Sequence, residues 1–104
     1  MGLRARATMP AEITWLPSAV KDVARLRNFI KSKNPIAAQR AANRIVEGIM
    51  ILKTNPGAGV PVEALTDYRD QILSFGSGET IIRYREENKK IVIVRVRHSK
   101  EEEF

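Results

Sequence analysis

Residues 80–98 read TIIRYREENKKIVIVRVRH. Two runs rich in β-branched and aromatic residues, parted by a short polar break at Glu86 to Lys90, predict an antiparallel hairpin. Side chains alternate across a strand, which predicts two unlike faces. Thr80, Ile82 and Tyr84 share one face with Val92, Val94, Val96 and His98. Ile81, Arg83 and Arg85 fall on the other with Ile91, Ile93, Arg95 and Arg97. One side is expected to meet a core, and the other to hold up four arginines.

Upstream of the hairpin the pattern changes period. Glu12 to Leu16 (EITWL) alternates and is stopped by Pro17, which predicts a short first strand with Trp15 at the core edge. Ser18 is the expected N-cap of a helix reaching about Ser32, with Val20, Val23, Leu26, Phe29 and Ile30 at spacings of three and four. Asn34-Pro35 caps and starts a second helix, whose face is Ala38, Ala42, Ile45, Ile49 and Leu52. Asn55-Pro56-Gly57 ends it. Gly57 to Pro61 connects, Val62 to Leu65 is expected to add a helical turn, and Asp67 to Ser74 reads as a strand. Gly76 and Gly78 then mark a turn into the hairpin.

The sum is an α+β fold: an N-terminal strand, an αα-hairpin, then a three-strand antiparallel meander, with both helices packed on one face of the sheet. At 104 residues the chain is one domain, 1–104, with residues 1–10 expected as a flexible leader and 99–104 as a flexible acidic tail.

Composition narrows the chemistry. Cysteine is absent, which excludes disulfide and thiolate chemistry, and one histidine leaves little from which to build a zinc site. There is no phosphate-binding glycine loop and no nucleotide fingerprint. No cofactor and no metal are therefore expected. The apolar runs are too short to span a bilayer and MGLRARATMP lacks the apolar centre of a signal peptide, so the expected location is the cytoplasm. A formal charge of +6 favours anionic partners, and the surplus lies at both ends of the chain rather than in its middle.

Arg69, Arg83, Arg85, Arg95 and Arg97 form the sharpest candidate site, because a guanidinium suits bidentate contact with phosphate or carboxylate. The bland reading is a solvated sheet face neutralised by nearby glutamates. His98, at the end of the last strand, suits either proton transfer or anchoring of the strand end. Glu63, in the connector before the second strand, is an acid that could serve as a base on a ribose hydroxyl, against the bland reading of an ordinary solvated loop glutamate.

The segments ITWLPSAVKDV, NPIAAQRAANRI, LKTNPGAGVP, IIRYR (residues 81–85) and IVRVRH (residues 93–98), with Arg69 before the second strand, occur together in an order that resembles the RelE/ParE superfamily of bacterial toxins, the plasmid-stabilisation type. The resemblance implies the toxic half of a type II toxin–antitoxin pair. Its partner would be a cognate antitoxin that wraps the toxin, and operator DNA would be met only through that complex. Two activities diverge among such toxins. The RelE-like branch is identified with ribosome-dependent cleavage of messenger RNA, and that resemblance would assign Glu63 as base, Arg83 as the phosphorane-stabilising arginine and His98 as the histidine. The ParE-like branch is identified with inhibition of DNA gyrase without catalysis, and would use Arg69, Arg83, Arg85, Arg95 and Arg97 to bind its target. Asn34 to Ala38 and the ending Arg95 to His98 are more similar to the ParE branch, and Ser99 stands where the nuclease pattern has tyrosine. Gyrase is thus the expected target and a protein without enzymatic activity the expected kind. The alternatives are the nuclease, and an inactive member acting only as a binding or regulatory protein.

Overall fold

The structure, a computed structural model, describes residues 11–76 and 78–101; the expected leader, Ser77 and the tail from 102 onward lie outside the described residues. Strand β1 (Glu12–Trp15) leads into helices α1 (Pro17–Lys31) and α2 (Pro35–Thr54). After a 3-10 turn at Pro56–Ala58 come β2 (Val60–Val62), β3 (Leu65–Phe75), β4 (Gly78–Glu87) and β5 (Lys90–His98). The sheet order is β1-β5-β4-β3-β2; β1 runs parallel to β5, and the other pairings are antiparallel. The α+β architecture and the meander of β3, β4 and β5 are as the sequence predicts. The short β2 replaces the helical turn expected at Val62 to Leu65: Val60 and Pro61 pair with Asp70 and Arg69, and Glu63-Ala64 form the turn. Among the described residues no helix is long and apolar enough to cross a membrane.

The helices start by different means. Asn34 caps α2, its Oδ1 accepting from the N–H groups of Ile36 (3.0 Å) and Ala37 (3.1 Å). Replacing it with alanine orphans those donors, and chemical denaturation is expected to show a loss of about 1 kcal/mol. Helix α1 begins two residues earlier than expected, with Leu16 rather than Ser18 at the N-cap position. Pro17 occupies its first turn and has no N–H to cap, while the Ser18 hydroxyl donates instead to Val94 O at 2.7 Å.

The inward stripe of α1 is Ala19, Asp22, Leu26 and Ile30, all buried, with Val23 partly so; Val20 and Phe29, expected in the core, are exposed. Asp22, a charged residue within this stripe, turns the helix relative to the face that its apolar residues alone define. On α2 the buried face is Ala38, Ala41, Ile45, Gly48, Ile49 and Leu52. Gly48 lets the helix press onto β3, since a Cβ there would stand 2.5 Å from Leu73 Cδ1.

The β4–β5 hairpin turns through Asn88 and Lys89, both with positive φ, as two-residue hairpin turns require. Its register slips once: Arg83 pairs with Arg95 but Tyr84 with Ile93, leaving Val94 as a bulged residue. A bulge sets two residues against one and inverts the alternation beyond it. Ile91 and Ile93 therefore join Ile82, Tyr84 and Val96 in the core, and Val92 moves to the opposite face. This reverses the face expected for Ile91, Val92 and Ile93.

Candidate functional site

The face of the sheet away from the helices is built in rows set by the pairing. Asp70, Arg83 and Arg95 form one row, and Ile72, Ile81 and Arg97 the next. Arg85 lies opposite Val92 in a third. Ile81 and Val92 are buried although no helix covers them. Each has one arginine beside it across the strands, Arg97 for Ile81 and Arg85 for Val92, and an arginine's methylene stem lies well over aliphatic side chains while the charge stays outward.

The arginines are largely wired into the protein. Arg83 makes a bidentate pair with Asp70, at 2.9 and 3.1 Å. Arg85 reaches Glu87 (3.0 Å) and the Tyr68 hydroxyl (3.3 Å). Hydrogen bonding to a carboxylate holds the guanidinium of each, Asp70 for Arg83 and Glu87 for Arg85, above its ordinary pKa. Arg97 is half-buried in its row. Arg69 lies on the other face, beside the helices: it pairs with Tyr84, a core residue, and donates to Gly59 O at 2.8 Å.

Arg95 is likewise tied to a carboxylate. Its Nε and Nη2 donate to Asp22 at 2.7 and 3.1 Å. Asp22 accepts as well from Arg25 and from the Val96 N–H (2.8 Å). Burial pushes the Asp22 carboxyl up, but the hydrogen bonds from Arg95, Val96 and Arg25 outweigh it and hold its pKa below the ordinary value. Glu101 follows the same logic. Burial raises it, yet Arg25 and the His98 N–H bring it down overall.

Neither Asp22 nor Glu101 stood out in the sequence. The one available signal was an acid set inside the apolar stripe of α1, three residues after Ala19 and four before Leu26.

His98 is buried against its surroundings. Its ring meets Phe75 edge-on at 6.2 Å, and its Nδ1 accepts from the Lys100 N–H at 3.1 Å. Gly78 makes room for it, because a Cβ there would come within 2.8 Å of the imidazole. Ser99 continues the pairing, its N–H donating to Glu79 O (2.7 Å) and its hydroxyl accepting from the Glu79 N–H (2.9 Å). Both residues fasten the end of β5.

Glu63, Arg83 and His98 are not brought together. Glu63 is exposed in the turn after Val62, whose partner is Leu65 at the start of β3. His98 pairs with Thr80, which lies opposite Leu73. Leu65 and Leu73 are roughly 26 Å apart along the strand at about 3.3 Å per residue. Arg83 sits between these ends, held by Asp70.

Shallow hollows lie beside the helices among the described residues. One, of about 500 Å³, is lined by Trp15, Val20, Val23, Ala24 and Arg27. Another, of about 520 Å³, lies between α2 and the β3–β4 turn, with Ala37 and Phe75 flanked by Arg40 and Arg44.

The chain is similar to known proteins. The model of the ParE toxin of the type II toxin–antitoxin system, parDE, matches residues 13–103. Toxin RelE3 of Caulobacter vibrioides is 31% identical over 85 residues, which make up 82% of this chain and 90% of that protein. A chain of the chromosomal ParDE TA system from P. aeruginosa superposes with a TM-score of 0.70 at 25% identity, over 86% of this chain and 97% of the other. The chain belongs to the ParE toxin family of the RelE/ParE superfamily and is the toxin component of a type II toxin–antitoxin system.

Proposed function

We propose that this toxin inhibits DNA gyrase by binding it through the uncovered sheet face and β5, with no chemistry of its own. The observation that carries this reading is the separation of Glu63 from His98 by most of the length of β3, with Arg83 committed to Asp70 between them. General acid–base cleavage needs its groups within hydrogen-bond reach of one substrate bond, and these three do not converge. Ser99 supports the same conclusion, since its hydroxyl is spent on Glu79 and it offers no ring to stack on a base. Gyrase as target places the action in the cytoplasm.

The cognate antitoxin fits the other side of the molecule. The hollow of Trp15, Val20, Val23 and Ala24 is apolar with Arg27 among its lining residues. Such a surface suits the apolar face of an amphipathic helix carrying acidic residues along its border.

Supercoiling of relaxed plasmid by purified gyrase tests the proposal. Added toxin is expected to abolish supercoiling, and R85A/R97A to weaken that inhibition by about tenfold. Unchanged supercoiling at saturating toxin would rule out gyrase as the target.

A further inference from the structure

β1 covers only the first part of the β5 edge, from Lys90 to Ile93, and the Leu16 N–H extends the cover by donating to Ile93 O at 3.0 Å. Beyond that, no strand lies beside β5 on this side among the described residues. An unpaired edge presents backbone donors and acceptors in a row and is a ready template for another strand. Here side chains stand in for a strand. Ser18 Oγ donates to Val94 O (2.7 Å), and Asp22 Oδ2 accepts from the Val96 N–H (2.8 Å). Arg25 Nη2 donates to Val96 O (3.3 Å), and Glu101 Oε1 accepts from the His98 N–H (2.9 Å). The polarity alternates as the backbone requires, and three of the four groups come from α1.

The fourth comes from the chain's own continuation. Glu101 is held there by Arg25, whose Nε and Nη2 donate to its two carboxylate oxygens at 3.0 and 3.2 Å. We infer that Glu101 is the latch of this edge guard, and that neutralising its carboxylate opens the C-terminal end of β5 while the core stays closed. Arg25 faces Glu101 from α1, with Asp22 behind it as a like charge. From its own segment Glu101 meets the His98 N–H, and the His98 ring beside it is engaged by the Lys100 N–H. Asp22, facing both Arg25 and Arg95, keeps two guanidiniums when Glu101 lets go. The order of release follows: the His98 end opens first, and the Val96 end stays shut. Acid is the natural trigger, because protonation removes the charge that pairs with Arg25 and turns the charge-assisted bond from the His98 N–H into a weaker neutral one. An opened edge presents the His98 N–H and Arg25 to an incoming strand or carboxylate. This inference is independent of gyrase as the target.

Amide hydrogen exchange followed by NMR on the full chain tests it. At neutral pH, E101Q is expected to lower protection of the His98 amide by about tenfold, leaving Val96 and the core amide of Ile82 unchanged. The wild-type chain is expected to show the same selective loss, as a fall in protection factor, when acidified below the ordinary carboxylate range. D22N is expected to free Val96 as well. Equal His98 protection in E101Q and wild type would overturn the inference, as would loss at His98 only in step with Ile82. So would an effect of similar size from E87Q, which removes an exposed carboxylate paired with Arg85.

Discussion

Asp22→Ala is expected to cost about 3 kcal/mol of folding stability, the low end of the range for breaking a buried charge pair. The Asp22 side chain is 3% exposed, while its partners Arg25 and Arg95 are 45% and 34% exposed. Those guanidiniums regain some water when the carboxylate goes, which sets the estimate low. The Val96 N–H does not, and is left at the strand edge without its acceptor. The effect must also depend on pH. The folded pKa of Asp22 lies below its unfolded value, so its contribution is fully present above the unfolded value of 3.8 and is lost as pH falls through the folded one. Urea denaturation at neutral pH and near pH 3 is expected to show the gap between wild type and D22A shrinking on acidification. A gap under about 1 kcal/mol at neutral pH, or one that does not shrink, would mean that this carboxylate does not hold α1 to β5.

Tyr84→Ala is expected to cost about 4 kcal/mol, as large-to-small changes of fully buried aromatics do. The ring is fully buried beneath the helices. Its hydroxyl donates to Pro56 O at 2.6 Å and accepts from the Gly59 N–H at 2.9 Å, tying the connector after α2 down onto β4. Burial is the main cause raising the phenol above its ordinary pKa, so it stays protonated and able to donate. Gly59 lies so close that a Cβ would meet the Tyr84 ring and hydroxyl at 2.7 Å. Tyr84→Phe separates the two contributions. It keeps the ring and removes the hydroxyl, and is expected to cost about 2 kcal/mol for the buried Gly59 N–H and Pro56 carbonyl left unpaired. Denaturation of both variants checks this, and equal losses would mean that the hydroxyl alone carries the contact.

The elements of this fold are legible because their signals are local. Pro17, Asn34-Pro35 and Asn55-Pro56-Gly57 punctuate the helices within a residue or two of where they begin and end. The alternation of Thr80 to Tyr84 assigns the faces of β4 correctly up to the bulge. What was not legible depends on contacts between distant segments. The bulge at Val94 is a property of the β4–β5 pairing, so counting along β5 alone put Ile91 and Ile93 on the wrong side. The arginines were legible as a set but not their partners. Asp70 lies across the strand from Arg83, and Asp22 is 73 residues from Arg95 in the chain. A period-two reading registers the cation and has no means of finding the carboxylate that holds it. The same limit applies to Glu63 and His98, whose separation follows from the β2–β3 turn lying at the start of β3 and His98 level with its far part.

We propose that the toxin works by occupying a target rather than by cutting RNA. The His98 ring is packed and its strand end fastened, Arg83 is neutralised by Asp70, and Glu63 is remote from both. The most direct measurement is controlled expression in a bacterial host with time-resolved incorporation of labelled thymidine and labelled methionine. DNA synthesis is expected to fall first while translation continues, and to fall equally when Glu63→Ala is introduced. An immediate stop in translation, abolished by Glu63→Ala, would contradict the account and return Glu63 to a catalytic role; unimpaired synthesis of both would mean the chain is not a toxin in that host.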